Sequence, residues 1–385
     1  MNTHDTPKIL ILGANFVNQG AYLMLVAAAH EIRVRFGGQP VIEVRHGTQR
    51  QRVMVGVDTL LSIQKLRFHP SGGRRSLLRP FKDHLPVIFA SDIDAVFDVS
   101  GFAFGDQWRD ANLQRRANHL EWWSKRVPVY LLPQALGPFE YTAQPARTAL
   151  TAARLAFARD PDSYAFAQEI VDGVQLEQAP DFTALIDAGG PLAADYRELE
   201  GGLAIVPNWN IAKRAKDDAE RRAYIANLAR WGHVAREAGI EPFGLCHEGS
   251  GDYALLEAVR GELPGLRIVD GLDGLRSKTV LGRSRLVVAG RFHALVSALS
   301  QGVPSISHGW SHKYRWMATD FAADNLVRNP YETGGHSEDI ERVLSDEQQI
   351  RDAILDGASR VKAEATRMWD QVAADLSGQV GVGAG

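Results

Sequence analysis

One cysteine, Cys246, stands in 385 residues. That excludes an intrachain disulfide and a thiolate-rich zinc site, and it fits a reducing compartment. No stretch approaches the uninterrupted apolar length that a membrane-spanning helix needs. The opening MNTHDTPKILILGANF lacks a basic leader followed by a long apolar core, so no signal peptide is expected and the reading is a cytosolic protein. Net charge is small: 43 Lys and Arg against 46 Asp and Glu leave −3, which offers no global attraction to nucleic acid or to a membrane surface. Three motifs are also missing. Gly13 is followed by Ala14 and Asn15, which is not G-x-G-x-x-G, and there is no Gly-Lys-Ser/Thr and no H-E-x-x-H. Neither a metal nor another cofactor is expected.

What is present is an ordinary globular composition, 45% apolar and 23% charged, in a chain long enough for two domains. KILILGAN at 8–15 is an apolar run of strand length, and QGAYLMLVAAAHEIRVRFG at 19–37 reads as a helix stopped by Gly37 and Gly38. PVIEVRH at 40–46 is the next strand, and this β-α-β opening implies a parallel sheet with a right-handed crossover. DAVFDVSG at 94–101, VPVYLLPQALG at 127–137, AARLAFARD at 152–160 and QLEQAPD at 175–181 keep the rhythm, with a helix over 110–126. The Gly- and Ala-rich stretch at 187–202 is the expected boundary. A second series follows: strands at 203–208, 241–248 and 266–271, helices at 217–239 and 252–263, and then RLVVAGRFHALVSALSQGVPSIS. The expectation is an α/β protein of two Rossmann-like parallel-sheet domains facing a cleft. Residues 1–190 form the first and 200–345 the second, followed by a helix at 346–376 that could lie back across the first unit and a flexible tail at 377–385.

In such sheets ligands bind beyond the carboxyl ends of the strands, so residues just after strands are the candidates. Asn18 and Gly20 stand at the first helix start, where free N–H groups attract anions; an ordinary turn capped by Asn18 is the plain alternative. Gly101 and Asp106 belong to a loop with two glycines and aromatics that could wrap a ligand or simply turn, and Gln134 follows the next strand inside a Pro-bounded turn. Arg159 offers a fork of donors to a carboxylate or phosphate, or pairs with Asp160 or Asp162. His247 and Glu248 end another strand, with Asp252 as the helix N-cap. Arg291 and His293 sit where a strand meets a helix, whose unpaired N–H groups and positive dipole end favour an anion; the alternative for His293 is a core ring bonded to a carbonyl. SHGWSHKYRW at 307–316 adds His308, His312, Lys313 and Arg315. Together these favour a small, strongly anionic ligand. The basic stretch LRFHPSGGRRSLLRPFKDH at 66–84 is a solvated loop by default, or a surface for an acidic acceptor or for anionic lipid at the inner face of the membrane.

In order along the chain, NFVNQGAYLML, DAVFDVSGFAFGDQW, VYLLPQALGPF, ARDPDS, APD and VVAGRFHALVSALSQGVPSISHGWSHKYRWM resemble the motifs of the polysaccharide pyruvyl transferases. The stretch R-x-H-A, then G-V-P and a downstream Lys, is the most specific. Two departures are Gln19-Gly20-Ala21-Tyr22, where many members carry Asp-Glu after N-x-G, and Ser100-Gly101 in place of Gly-Gly. The resemblance implies a glycosyltransferase-B-like pair of Rossmann-type domains, with the acceptor on the first and the donor on the second. It also implies transfer of a pyruvyl group from phosphoenolpyruvate to two hydroxyls of a sugar or lipid-linked glycan, leaving a cyclic ketal and releasing phosphate. On that reading His293 is the general acid or base and Arg291, Arg159 and Lys313 bind the donor. Two alternatives stay open: a nucleotide-sugar-dependent glycosyltransferase, with Glu248 and Trp310 recruited to the nucleotide, and a non-catalytic glycan-binding relative. Nothing in the sequence sets an oligomeric state.

Overall fold

The computed structural model describes residues 6–61, 88–108, 111–309 and 311–382; the basic stretch at 66–84 and Trp310 lie outside them. The first unit carries β1 (Lys8–Leu12), β2 (Gln39–Glu43), β3 (Asp58–Leu60), β4 (Ala95–Asp98), β5 (Val129–Gln134), β6 (Leu155–Ala158) and β7 (Leu176–Gln178). Its helices are α1 (Gln19–Phe36), α2 (Gln49–Val55), α3 (Ala111–Ser124), α4 (Ala143–Ala152) and α5 (Pro161–Ile170). The second carries β8 (Leu203–Val206), β9 (Pro242–Leu245), β10 (Arg267–Val269), β11 (Leu286–Ala289), β12 (Ser305–His308) and β13 (Val327–Arg328). Around these lie α6 (Trp209–Arg214), α7 (Asp218–Glu237), α8 (Gly249–Glu262), α9 (Gly274–Arg283), α10 (Phe292–Leu299), α11 (His312–Asp320) and α12 (His336–Ser345). The long α13 (Glu347–Val382) closes the chain.

The sheets run in the orders β3-β2-β1-β4-β5-β6-β7 and β10-β9-β8-β11-β12-β13, and their pairings are parallel. Central strands such as Ile9–Leu12 and Leu203–Val206 are buried along their whole length, because helices cover both faces of a parallel sheet and leave no polar side. In each sheet the strand order reverses between the first strand and its neighbour, β1/β4 and β8/β11, which is where such folds hold ligands. The connection between units runs from β7 through Asp181 and a 3-10 turn, Phe182–Leu185.

The helix expected at 346–376 runs instead from Glu347 to Val382, so much of what reads as tail is helical. Its Gly and Val residues are poor helix formers, yet the segment continues a helix already anchored by packing. The two ends of α13 serve different cores: Ile354, Ala358 and Val361 pack with the second unit, and Ala365, Met368, Trp369 and Val372 with the first. Trp369 meets Phe97 at 5.8 Å and Phe182 of the connecting turn at 5.5 Å between ring centroids. Tyr130 Oη and Arg154 Nε donate to Asp375 at 2.7 and 2.5 Å and fasten the far end. Among the described residues no helix is long and apolar enough to cross a membrane.

Trp369→Ala should therefore cost about 3–5 kcal/mol, the usual range for emptying a buried aromatic site, read as a lower urea midpoint at unchanged slope. A loss under about 1 kcal/mol would show that α13 is dispensable to the first core.

Candidate functional site

At the end of β11, Gly290 turns the chain so that α10 starts in the crevice between the units. The carbonyl of Gly290 accepts from Asn208 Nδ2 at 2.7 Å and Tyr314 Oη at 2.9 Å, which fixes this turn. Arg291 is the N-cap of α10, but its guanidinium does not stand open as an anion clamp. Nε and Nη2 donate to Asp252 at 2.8 and 2.5 Å, and Nη1 to Glu248. The reason is electrostatic. Asp252 is fully buried, and a buried carboxylate needs a cation beside it. Asp252 is likewise not the N-cap of α8. Glu248 holds that place, while Asp252 accepts from the backbone N–H groups of Trp209 and Glu248 at 2.9 and 3.0 Å. Arg291 thus braces α6, α8 and α10 against one another.

His293 points the other way, to the connection between units. Its Nε2 lies 3.3 Å from Asp181 Oδ2, and Arg159 Nη2 lies 3.4 Å from the same oxygen. The other oxygen of Asp181 accepts from Thr183 N at 2.9 Å and Thr183 Oγ1 at 2.5 Å. Burial alone would push the Asp181 carboxyl up; Arg159, and after it His293, hold it far below the usual range. Burial pushes His293 down, against the pull of Asp181. Arg159 donates to Pro133 O at 3.2 Å and lies over the Phe292 ring at 4.8 Å. Gly101, in the left-handed region at φ +67°, lets this guanidinium pass over it; a Cβ would come within 2.6 Å of Nη2.

Lys313, at the start of α11, is buried with Nζ 3.8 Å from the Phe102 ring centroid. Burial, then Arg159, pushes its pKa well below the ordinary lysine range, with Asp160 and Asp181 opposing. A pocket of about 10 Å³, room for about one water, is lined by Arg159, Asp160, Asp181, Phe292 and Lys313 among others. Next to it His312 Nε2 sits 3.3 Å from Ser163 Oγ and 3.7 Å from Asp160 at the capped start of α5. Within the protein, Arg159 Nε, Asp160 Oδ2, Asp181 Oδ2, His293 Nε2, His247 Nε2 and Gln134 Oε1 are buried and make no hydrogen bond. Of these residues Arg159, Asp160 and Asp181 line the pocket, and His293 reaches Asp181 from the second unit.

The remaining candidates divide. Gln134 donates to Asp98 Oδ1 at 3.1 Å. His247 is buried behind His293, and burial, then Arg291, lowers it to about 3. Asn18 caps α1, accepting from Ala21 N at 2.9 Å. Gly20 touches the site directly, since a Cβ there would overlap the His293 ring. Asp106 serves as a fastener: its carboxylate accepts from the N–H groups of Glu140, Tyr141 and Thr142 and from Thr142 Oγ1. The basic cluster read at 307–316 also disperses. His308 is a core ring on β12, lowered by burial to about 3, and Arg315 is exposed and pairs with Asp162 at 3.1 Å. Two participants stand in motif stretches without a role assigned to them from the sequence: Ser163 in ARDPDS and Asp181 in APD.

The family model of the polysaccharide pyruvyl transferases matches residues 18–312, from the cap of α1 to the first residue of α11. The chain belongs to the polysaccharide pyruvyl transferase family. No curated protein matches it. Among solved structures it is similar to a glycosyltransferase from Rickettsia africae (TM-score 0.59, 10% identity, 97% of this chain and 99% of that one). It is also similar to the UDP-GlcNAc 2-epimerase of Neisseria meningitidis bound to UDP-GlcNAc (0.58, 10%, 95% and 99%). A third is an Anabaena protein in complex with UDP and glucose (0.58, 13%, 97% and 100%). At these identities the likeness concerns the fold, which is that of the GT-B enzymes.

In this pyruvyl transferase family member Gly20→Ala is expected to lower the melting temperature, because overpacking a buried site costs about 1–3 kcal/mol, and the added methyl swings the His293 ring off Asp181. A changed His293 resonance in histidine-labelled NMR spectra checks this; an unchanged one contradicts the contact.

Proposed function

We propose that this protein moves the pyruvyl group of phosphoenolpyruvate onto two hydroxyls of one sugar in a surface polysaccharide or its lipid-linked precursor, forming a cyclic ketal and releasing phosphate. The observation that carries the reading is that Asp181 meets both His293 and Arg159 and lines one small pocket with Arg159 and Lys313, in a chain of the polysaccharide pyruvyl transferase family.

The donor carries a carboxylate and a phosphate. Arg159, whose Nε has no partner in the protein, supplies planar donors for one of them. Lys313, its charge disfavoured by burial and by Arg159, gains a proton most readily when an anion arrives. The first step protonates the methylene carbon of the enol, and one sugar hydroxyl adds to the resulting cationic carbon. Loss of phosphate regenerates the cation, and the second hydroxyl closes the ketal. One hydroxyl proton ends on the new methyl group and the other on phosphate. His293 is the proton carrier, with Asp181 stabilising its imidazolium form. On the first unit Trp108 and Tyr141, 44% and 64% exposed, flank the Asp106 fastener and suit the apolar face of a sugar ring.

The nucleotide-sugar reading draws on the structural neighbours that hold UDP or UDP-GlcNAc. Against it, the carboxylate it would use, Glu248, is engaged by Arg291.

The test pairs ligand-induced stabilisation with phosphate release. Phosphoenolpyruvate should raise the melting temperature, and phosphate should appear when a glycan panel is added. His293→Ala should keep the stabilisation and lose about 10²-fold or more in turnover. Stabilisation by UDP-N-acetylglucosamine alone, or full turnover in His293→Ala, would overturn the assignment.

A further inference from the structure

Lys278 lies on α9, fully buried, outside the crevice and outside the motif stretches. A lysine in such a place is costly unless its ammonium group is used. Its Nζ donates to two uncharged oxygens: the carbonyl of Thr183 at 3.1 Å and Ser300 Oγ at 2.9 Å. Each acceptor belongs to a different half of the site. Thr183 is the residue whose N–H and hydroxyl hold Asp181, on the connection between units. Ser300 is the C-cap of α10, the helix that presents His293 at its other end.

We propose that Lys278 is a positioning residue for the Asp181–His293 pair: it ties the turn carrying Asp181 to the far end of the helix carrying His293. Its ammonium also faces the negative end of the α10 dipole, where a cation is favoured. Burial lowers its pKa to about 7, opposed by Asp181. The same end of α10 is held by Gln301 Nε2, which donates to the carbonyls of Lys278 and Ser297 at 2.9 and 2.7 Å. A methionine would fill the volume but could not bridge the two oxygens. The effect on turnover rests on the proposed pyruvyl transfer; the effect on the pair does not.

The experiment compares histidine-labelled wild type, Lys278→Met and Lys278→Gln by NMR across pH 5–8, with the His293 signal assigned by its loss in His293→Gln. The groups facing that ring are Asp181, Arg159, Lys313 and His247, and of these Asp181 favours the protonated form. In Lys278→Met the Asp181 turn loosens, so the His293 midpoint should fall by about half a unit or more. Lys278→Gln, which keeps an N–H donor, should recover part of that fall. In phosphate release from phosphoenolpyruvate, kcat should drop about tenfold or more in Lys278→Met, with KM for the donor within about twofold. A folded Lys278→Met whose His293 midpoint matches wild type overturns the proposal. Should that variant fail to fold, Ser300→Ala removes the bond from Lys278 to the end of α10 and must give the same downward shift; an unchanged midpoint there overturns it equally. Shifted midpoints in a protein that releases no phosphate would leave Lys278 in its role and remove the pyruvyl reading, whereas active wild type with unshifted midpoints would do the reverse.

Discussion

A single buried carboxylate organises this molecule. Asp181 stands on the connection between two domains, 4% exposed, and its charge has to be balanced where water does not reach. The balance comes from both sides: Arg159 from the first sheet, His293 from the second, and the Thr183 N–H and hydroxyl from the turn itself. Because the compensating groups belong to different domains, the closed arrangement of the crevice and the ionisation of Asp181 depend on each other.

Around this centre the two cationic clusters do different work. Arg291 is consumed by Asp252 and Glu248 and makes the second-domain wall rigid. Arg159 and Lys313 keep donors near the crevice, under aromatic rings that exclude water and raise the value of any anion bound there. This division explains how a region so rich in charge can be both a scaffold and a reactive site. Asp252 and Glu248 saturate Arg291, whereas near His293 one carboxylate, Asp181, meets Arg159, and burial disfavours the charge of Lys313.

The sheets were readable in the sequence because parallel strands covered on both faces must be apolar throughout: KILIL, LAIV and LVVA announce themselves. The crevice was readable because residues that follow such strands have few places to go, so Arg159, His293 and Gln134 could be placed beside it. Pairings could not be read. Arg291 and Asp252 are 39 positions apart, and nothing local tells an arginine that will clamp a ligand from one that a buried aspartate will occupy. Asp106 and His308 misled for the same reason, since a polar residue after a strand looks alike whether its bonds end in the protein or in a substrate. Lys278 gave no signal at all, standing in an amphipathic helix where a lysine ordinarily faces water. The tail at 377–385 read as flexible from composition, whereas helix propagation from a packed segment carries it to Val382.

The shared helix α13 has a consequence for biosynthesis. Domains made first on the ribosome usually fold first. Here the first domain lacks Ala365, Met368, Trp369 and Val372 until the whole second domain has been translated. Its core is left open on one side while the second domain is made, so the domain that is translated earlier is closed by a segment that is translated later.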